Sequence, residues 1–315
     1  MPVSGNPSRL QPKPAFRRPL ALVRLTGRVV STYVLRRSQN PPPFLASFKL
    51  THRCNLRCRQ CPFWHQPTPD LLFDQVKAAL IALRARGSRM VIFEGGEPYK
   101  WQDGKRTFDD IADTARDLFD VVGVTTNGTF PLTSPTDLTW VSLDGLESTH
   151  DALRGSGVFQ QAMKHIQSAQ KQRVYAHLTA NKLNAAELPD LVRFLKGKVR
   201  GISLQFYYPY DGVDDLWLPQ DERSQLVDTI INLKKQGYPI LNSIAGLRAM
   251  QRGGWRCVDS LVDNVHADGS LQQGCYLKGR SAADCTCCGF TPHAEISLAY
   301  QGNLDAIWSG LSTFL

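Results

Sequence analysis

Several things are missing from this 315-residue chain, and each absence excludes something. No apolar run approaches the ~20 residues of a membrane-spanning helix, so a helical membrane protein is not expected. No acidic residue precedes Asp70. Twelve Lys and Arg, from Arg9 to Arg59, lie before it, and the rest of the chain holds 25 basic and 28 acidic residues. The whole formal excess of +9 therefore sits in the first 69 residues, an asymmetry that points to an anionic partner or an address. That basic stretch lacks the interleaved aromatics and Gly-rich loops of RNA-binding modules, so nucleic acid is not the expected partner. No secretory leader is legible, because Arg24 and Arg28 interrupt the most apolar N-terminal segment. Nor does any cysteine fall between Cys61 and Cys257. A disulfide framework is therefore not expected, and clustered thiols in a reducing cytoplasm read first as ligands of a soft metal.

What is present begins with a Pro-, Ser- and Asn-rich stretch, 1–15, whose composition predicts disorder. Residues 16–37 place Leu22, Val23, Val29, Val30, Tyr33 and Val34 on one side of a helical wheel, with Arg17, Arg24 and Arg28 opposite. This pattern fits a helix lying on the protein's own body, peripheral contact with an anionic membrane, or a transit peptide. The proline run of 41–43 breaks it. We divide the chain into a basic extension (1–43), a core (44–238) and a cysteine-rich C-terminal region (239–315).

Within the core, short apolar runs alternate with amphipathic ones. Strands are predicted at 44–51, 89–96, 121–128, 139–145, 174–180 and 201–209. Helices are predicted at 71–87, 108–119, 158–172, 185–197 and 220–237. Such alternation builds βαβ units on a parallel sheet. Closure of six strands gives a barrel-like α/β fold with its active groups at the C-terminal strand ends. The doubly wound alternative would show a Gly-rich phosphate turn after the first strand, and here that strand runs into cysteines.

Those cysteines are Cys54, Cys58 and Cys61, in THRCNLRCRQC. A structural zinc takes four protein ligands, as does an electron-transfer cluster. Three thiolates suit a cubane with one iron left open for another molecule, unless a distant thiol such as Cys257 supplies the fourth.

The spacing Cys54-x3-Cys58-x2-Cys61, directly after the first strand, resembles the cluster loop of radical S-adenosylmethionine (SAM) enzymes. Gly95-Gly96-Glu97-Pro98, Thr126-Asn127-Gly128 and Ser142-Leu143-Asp144-Gly145 follow the second, third and fourth strands as that family's motifs do. The resemblance covers about residues 44–210. It implies a partial (β/α)6 TIM-like barrel and a 4Fe–4S cluster on the three cysteines. It also implies SAM chelating the open iron, and one-electron cleavage to methionine and a 5′-deoxyadenosyl radical. That radical abstracts hydrogen from an organic substrate or adds to it. Gly95, Gly96, Glu97, Thr126, Asn127, Ser142, Asp144 and Asn181 are the implied SAM contacts, with Glu97 facing the ammonium. Turn and loop capping are the alternative for Thr126, Asn127, Ser142 and Asn181. Gln60 departs from the family, which commonly has an aromatic residue there; Phe63 and Trp64 follow instead. No general acid or base is assigned, and His65, His150 and His177 are expected to be structural or superficial. A reductant such as flavodoxin or ferredoxin is the implied partner.

The tail carries Cys257, Cys275, Cys285, Cys287 and Cys288. They are candidates for a second iron–sulfur cluster, for zinc through the Cys285-x2-Cys288 half-site, or for free thiols. His266-Ala-Asp-Gly predicts a hairpin turn before a strand carrying Cys275. The basic helix and the cysteine-containing close weakly resemble hopanoid-lipid adenosyltransferases, which makes a lipid or isoprenoid the first substrate expectation. Peptide or cofactor modification is the alternative. A non-enzymatic iron–sulfur carrier or sensor is the competing class. The expected location is cytoplasmic, with peripheral membrane contact through residues 16–37.

Overall fold

In the computed structural model, residues 27, 41–66, 68–169, 172–210, 214–277 and 284–314 are described. The predicted disorder of 1–15 and the basic helix of 16–37 lie outside them, Gly27 apart.

All six predicted core strands form: β1 (Leu45–Lys49), β2 (Met90–Glu94), β5 (Val121–Thr126), β6 (Leu138–Ser142), β7 (Val174–Ala180) and β8 (Ile202–Phe206). They lie side by side in chain order, all parallel. A two-residue pair, β3 (Gln102–Asp103) and β4 (Arg106–Thr107), forms a separate small hairpin. Helices α1 (Phe73–Arg86), α2 (Phe108–Leu118), α3 (Glu147–Arg154), α4 (Val158–Ser168) and α5 (Leu188–Leu195) lie in the crossovers, a loop joins β5 to β6, and α6 (Gln220–Lys235) follows β8. The fold is a parallel α/β sheet curled into a partial TIM-like barrel.

Strand periodicity sorts the side chains. Ala46, Phe48, Val91, Phe93, Val122 and Val124 face outward and bury against Val76, Leu80 and Leu83 of α1 and Ile111 and Ala115 of α2. Val141, Ala176, Leu178, Leu204 and Phe206 do the same against α4, α5 and α6. Truncating one such leucine to alanine costs about 2–5 kcal/mol. The α1 pattern stops at Gly87, whose φ of 123° suits a residue without Cβ. Residues facing the other way, such as Ser47, Thr125, Ser142, His177, Thr179 and Gln205, are only half-buried. They line an interior that stays open at the strand C-termini. Its floor is apolar: Met90, Val121, Leu138 and Tyr175, with Trp140 and Phe314 packed on them.

The tail departs from the sequence reading in two ways. The predicted hairpin exists as β9 (Val262–Val265) and β10 (Leu271–Gln273), antiparallel, but the second strand ends before Cys275. Further, β9 pairs in parallel with β1, so the sheet has eight strands in the order β10-β9-β1-β2-β5-β6-β7-β8. Arg86, at the end of α1, holds the buried Asp263 of β9 through two contacts, 2.9 and 3.0 Å. Helices α7 (Ile244–Gln251), α8 (Thr291–Tyr300) and α9 (Leu304–Phe314) complete the chain. Arg173 and Tyr175 bind the Thr313 carbonyl at 2.7 and 3.1 Å, which fixes α9 beneath the barrel. Among the described residues no helix is long and apolar enough to cross a membrane.

Candidate active site

The loop of Cys54, Cys58 and Cys61 leaves the C-terminal end of β1 and is joined to the turn after β2. Gly96 N–H donates to the Thr51 carbonyl at 2.6 Å and Glu97 N–H to that of Arg53 at 2.8 Å. A Cβ on Gly95 would stand 2.5 Å from the Thr51 carbonyl oxygen, and one on Gly96 would overlap that of Arg53. The two glycines therefore let the cluster loop and the second turn touch backbone to backbone.

Glu97 is fully buried and gathers three donors. Thr126 Oγ1 donates at 2.8 Å, Asn127 N–H at 2.8 Å and Tyr99 N–H at 3.3 Å. Burial pushes its carboxyl up to about 7 despite them. Asn127 then reaches the cysteine loop, its Nδ2 lying 3.0 Å from Asn55 Oδ1 and 3.8 Å from Cys54 Sγ. Glu97, Thr126 and Asn127 thus form one network under Cys54.

Asp144 is the centre of a second network. It is fully buried and accepts from Arg154 Nε at 2.6 Å, Gln60 Nε2 at 2.5 Å and Thr179 N–H at 3.2 Å. Its own N–H donates to His150 Nδ1 at 3.2 Å, and Asn184 binds its carbonyl at 2.8 Å. Burial opposes the Arg154 charge, but Asp144 and the Cys58 thiol outweigh it and hold the guanidinium above its ordinary value. Gln60, the residue that breaks the family pattern, thereby ties the cysteine loop to the end of β6. Ser142 is the last residue of β6 and is half-buried. Asn181 is buried just past β7, and its Nδ2 has no hydrogen-bond partner.

Cys58 is buried, and Cys54 and Cys61 are half-buried. Burial pushes the Cys58 thiol up to about 11, against the pull of Arg154, and raises Cys54 as well. A metal must displace those protons when it binds. Three thiols at one strand end, with unpartnered buried amide atoms at Gln60 Oε1 and Asn181 Nδ2 nearby, fit a cluster with one iron left open to a polar ligand.

Inside the barrel mouth lies a residue that the sequence reading passed over. Lys49, only 2% exposed, meets Glu94 at 3.3 Å and Tyr276 Oη at 3.1 Å, and stands 3.9 Å from the centre of the Phe63 ring. A lysine inside the apolar run FLASFKLT was its signal. Arg154 was also missed; it stands in α3, which is too polar to read as a helix. His177 faces the interior and bonds Ser203 Oγ at 2.7 Å, while burial holds it near 4 and therefore neutral. His150 is buried and likewise held near 4 by burial, with Arg154 adding. His65 is exposed.

The tail thiols meet the same mouth. Phe206, at the end of β8, donates its N–H to the Gly289 carbonyl at 3.1 Å, and Tyr208 Oη accepts from Asp284 N–H at 2.9 Å. Burial pushes Cys288 up to about 12, and the neighbouring thiols of Cys275, Cys257 and Cys285 add to this. Cys257 is raised too, by burial first and then by Asp259, Cys275 and Cys285. Cys257 and Cys288 thus both sense the thiols of Cys275 and Cys285, which puts the four in one region of the tail. Cys287 turns instead to Asp284, with Sγ 3.5 Å from its carboxylate. Among the described residues no group of three or more His, Cys, Asp or Glu surrounds a single ion position. The thiolates of an iron–sulfur cube each take their own iron and need not converge on one point.

Comparison with known proteins gives matches of sequence and of fold. A model described as the radical SAM superfamily matches residues 48–195. Fe-coproporphyrin III synthase of Methanosarcina barkeri is 27% identical over 238 residues, 68% of this chain and 58% of that protein. The antilisterial bacteriocin subtilosin biosynthesis protein AlbA of Bacillus subtilis is 28% identical over 198 residues, 58% of this chain and 42% of that protein. The chain thus spans about half the length of these curated relatives. The crystal structure of Streptococcus suis SuiB bound to S-adenosylmethionine superposes with a TM-score of 0.63 at 14% identity, over 93% of this chain and 71% of that one, and so shares the fold.

Proposed function

We propose that this chain, whose residues 48–195 match a model described as the radical SAM superfamily, is a radical SAM enzyme that modifies a peptide or a cofactor-type molecule. Its cofactors are a 4Fe–4S cluster and SAM. Cys54, Cys58 and Cys61 hold the cluster. When bound, the pair supplies reductive cleavage of SAM to methionine and a 5′-deoxyadenosyl radical that attacks the substrate.

The observation that carries the reading is the junction of the cysteine loop with Gly95, Gly96 and Glu97, which brings ligands and SAM-site candidates to one strand end. Glu97, ionised, offers a carboxylate to the N–H groups of the SAM amine; the unpartnered Asn181 amide offers a donor. Gly95, Gly96, Thr126 and Asn127 shape the pocket floor. Asp144, bound by Arg154 and Gln60, orients the loop rather than a ribose. Ser142 lines the chamber. His177, neutral, adds no charge to the chamber. A half-buried polar wall above an apolar floor excludes bulk water from a short-lived radical once substrate fills the mouth.

Relatives named for coproporphyrin and bacteriocin chemistry support the peptide or cofactor reading over the lipid substrate suggested by the weak hopanoid resemblance. The neighbouring thiols Cys257, Cys275, Cys285 and Cys288 support a second iron–sulfur centre at the same mouth. A flavodoxin- or ferredoxin-type protein is the proposed reductant. The basic residues 16–37 are the proposed contact with anionic membrane; removing residues 1–37 should lower sedimentation with anionic vesicles, and unchanged binding would refute that contact.

The test is made without oxygen. Protein reconstituted with iron and sulfide, reduced with dithionite and given SAM should yield 5′-deoxyadenosine by chromatography, and Cys58→Ala should yield none. An intact cluster that cleaves no SAM would instead mark an iron–sulfur carrier or sensor.

A further inference from the structure

Arg223, in the first turn of α6, is fully buried. Among the described residues no carboxylate pairs with it. Its Nη1 donates to the Cys288 carbonyl at 3.1 Å and its Nη2 to the Cys287 carbonyl at 3.4 Å, while its Nε has no partner. The guanidinium lies 4.4 Å from the ring centre of Phe206 and 5.0 Å from that of Trp217. Carbonyl and ring contacts satisfy some N–H groups but supply no counter-charge, and a buried cation without one is expensive.

The fold has made this placement deliberate. The turn Cys285–Cys287 is fixed by Asp284, which accepts from Thr286 N–H at 2.9 Å. Gly289 lies so close to Phe206 that a Cβ there would overlap the phenylalanine's own Cβ. The Cys287–Cys288 backbone is therefore clamped between the end of β8 and α6, with Arg223 donating to it from α6.

We propose that Arg223 is the built-in counter-charge of a thiolate-ligated centre on Cys257, Cys275, Cys285 and Cys288, and that it raises that centre's affinity for an electron. This rests on the second centre proposed above. A cluster with four thiolate ligands is anionic and gains one further negative charge on reduction; a fixed cation beside its ligand loop stabilises the reduced form more than the oxidised one. Arg223 is a positioning and tuning residue, not a ligand.

The test uses the full-length chain with Cys54, Cys58 and Cys61 replaced by alanine, so that any cluster it takes up lies in the tail. Iron content and the midpoint of an anaerobic, EPR-monitored redox titration are measured with Arg223, Arg223→Lys and Arg223→Met. The charge-keeping lysine should leave the midpoint close to the parent. The methionine should make it more negative by a tenfold or greater loss in electron affinity, about 59 mV for a one-electron couple. Equal midpoints for Arg and Met, or equal shifts for Lys and Met, would overturn the proposal. If Met holds no iron, recovery of iron by Lys supports the charge role, and loss in both overturns it. A parent that binds no iron would remove the second centre itself, and with it the role of Arg223.

Discussion

Thr126 Oγ1 donates to Glu97 Oε1 across 2.8 Å, although 29 positions separate the two residues. That bond and its neighbour from Asn127 N–H hold a fully buried carboxyl whose pKa is pushed up to about 7. If Glu97 accepts the N–H groups of the iron-bound SAM amine, its ionised form is required, and affinity should rise as pH climbs through about 7. Glu97→Gln should weaken SAM binding at pH 8 by tenfold or more and flatten that pH dependence. Anaerobic equilibrium dialysis measures both; an unchanged pH profile in the variant would count against the contact.

Gly96→Ala should be among the most damaging single-carbon additions. The new methyl overlaps the Arg53 carbonyl, which is backbone and leads directly into Cys54. Overpacking of this kind costs about 1–3 kcal/mol, and iron uptake at the first cluster should fall with it. A melting curve and an iron assay check this. Gly254, with open space around it and no positive φ, serves as the control position.

Asp144→Ala should destabilise by about 3–5 kcal/mol, because it leaves Arg154 buried without its partner. The double variant with Arg154→Ala should cost less than the two single changes summed. Denaturant melts of all three, completed as a double-mutant cycle, measure the coupling, and additivity would deny it.

The six core strands were legible because each pairs an outward apolar set with a turn motif at its end, as in Phe93 before Gly95-Gly96 or Val124 before Asn127-Gly128. β9 was not. Its four residues, VDNV, carry Asp263 and Asn264, polar groups that become acceptable only once Arg86 and the Gly274 carbonyl meet them. Those partners lie 177 and 10 positions away, and no local pattern announces the distant one. α3 was missed for a related reason: ESTHDALR has two buried side chains, His150 and Leu153. The same gap hid Arg154, and with it the buried ion pair that Asp144 makes. Lys49 shows the converse, a plain local anomaly passed over in an apolar strand. The clustering of the tail thiols at the β8 end depends on Gly289 packing on Phe206, a contact that spacing cannot express.

His150 and His177 supply a pH dependence with a definite sign. Burial holds both near 4 in the fold, below the ordinary ~6.5. The unfolded chain accepts protons that the fold refuses. Their contribution to stability is therefore whole above about 6.5 and is lost as pH falls toward 4. Ring-nitrogen NMR of the cluster-free chain should find both imidazoles neutral at about pH 5.5, and midpoints near the ordinary value would contradict their burial.

The central claim is that Cys54, Cys58 and Cys61 leave one iron open and that SAM fills it. Electron–nuclear double resonance on the reduced cluster, with SAM labelled at the methionine amino nitrogen and carboxylate, tests this most directly. The account predicts hyperfine coupling from both labels, lost in Cys58→Ala. An intact first cluster that binds SAM without coupling to either label, or that carries a fourth protein ligand, would contradict it.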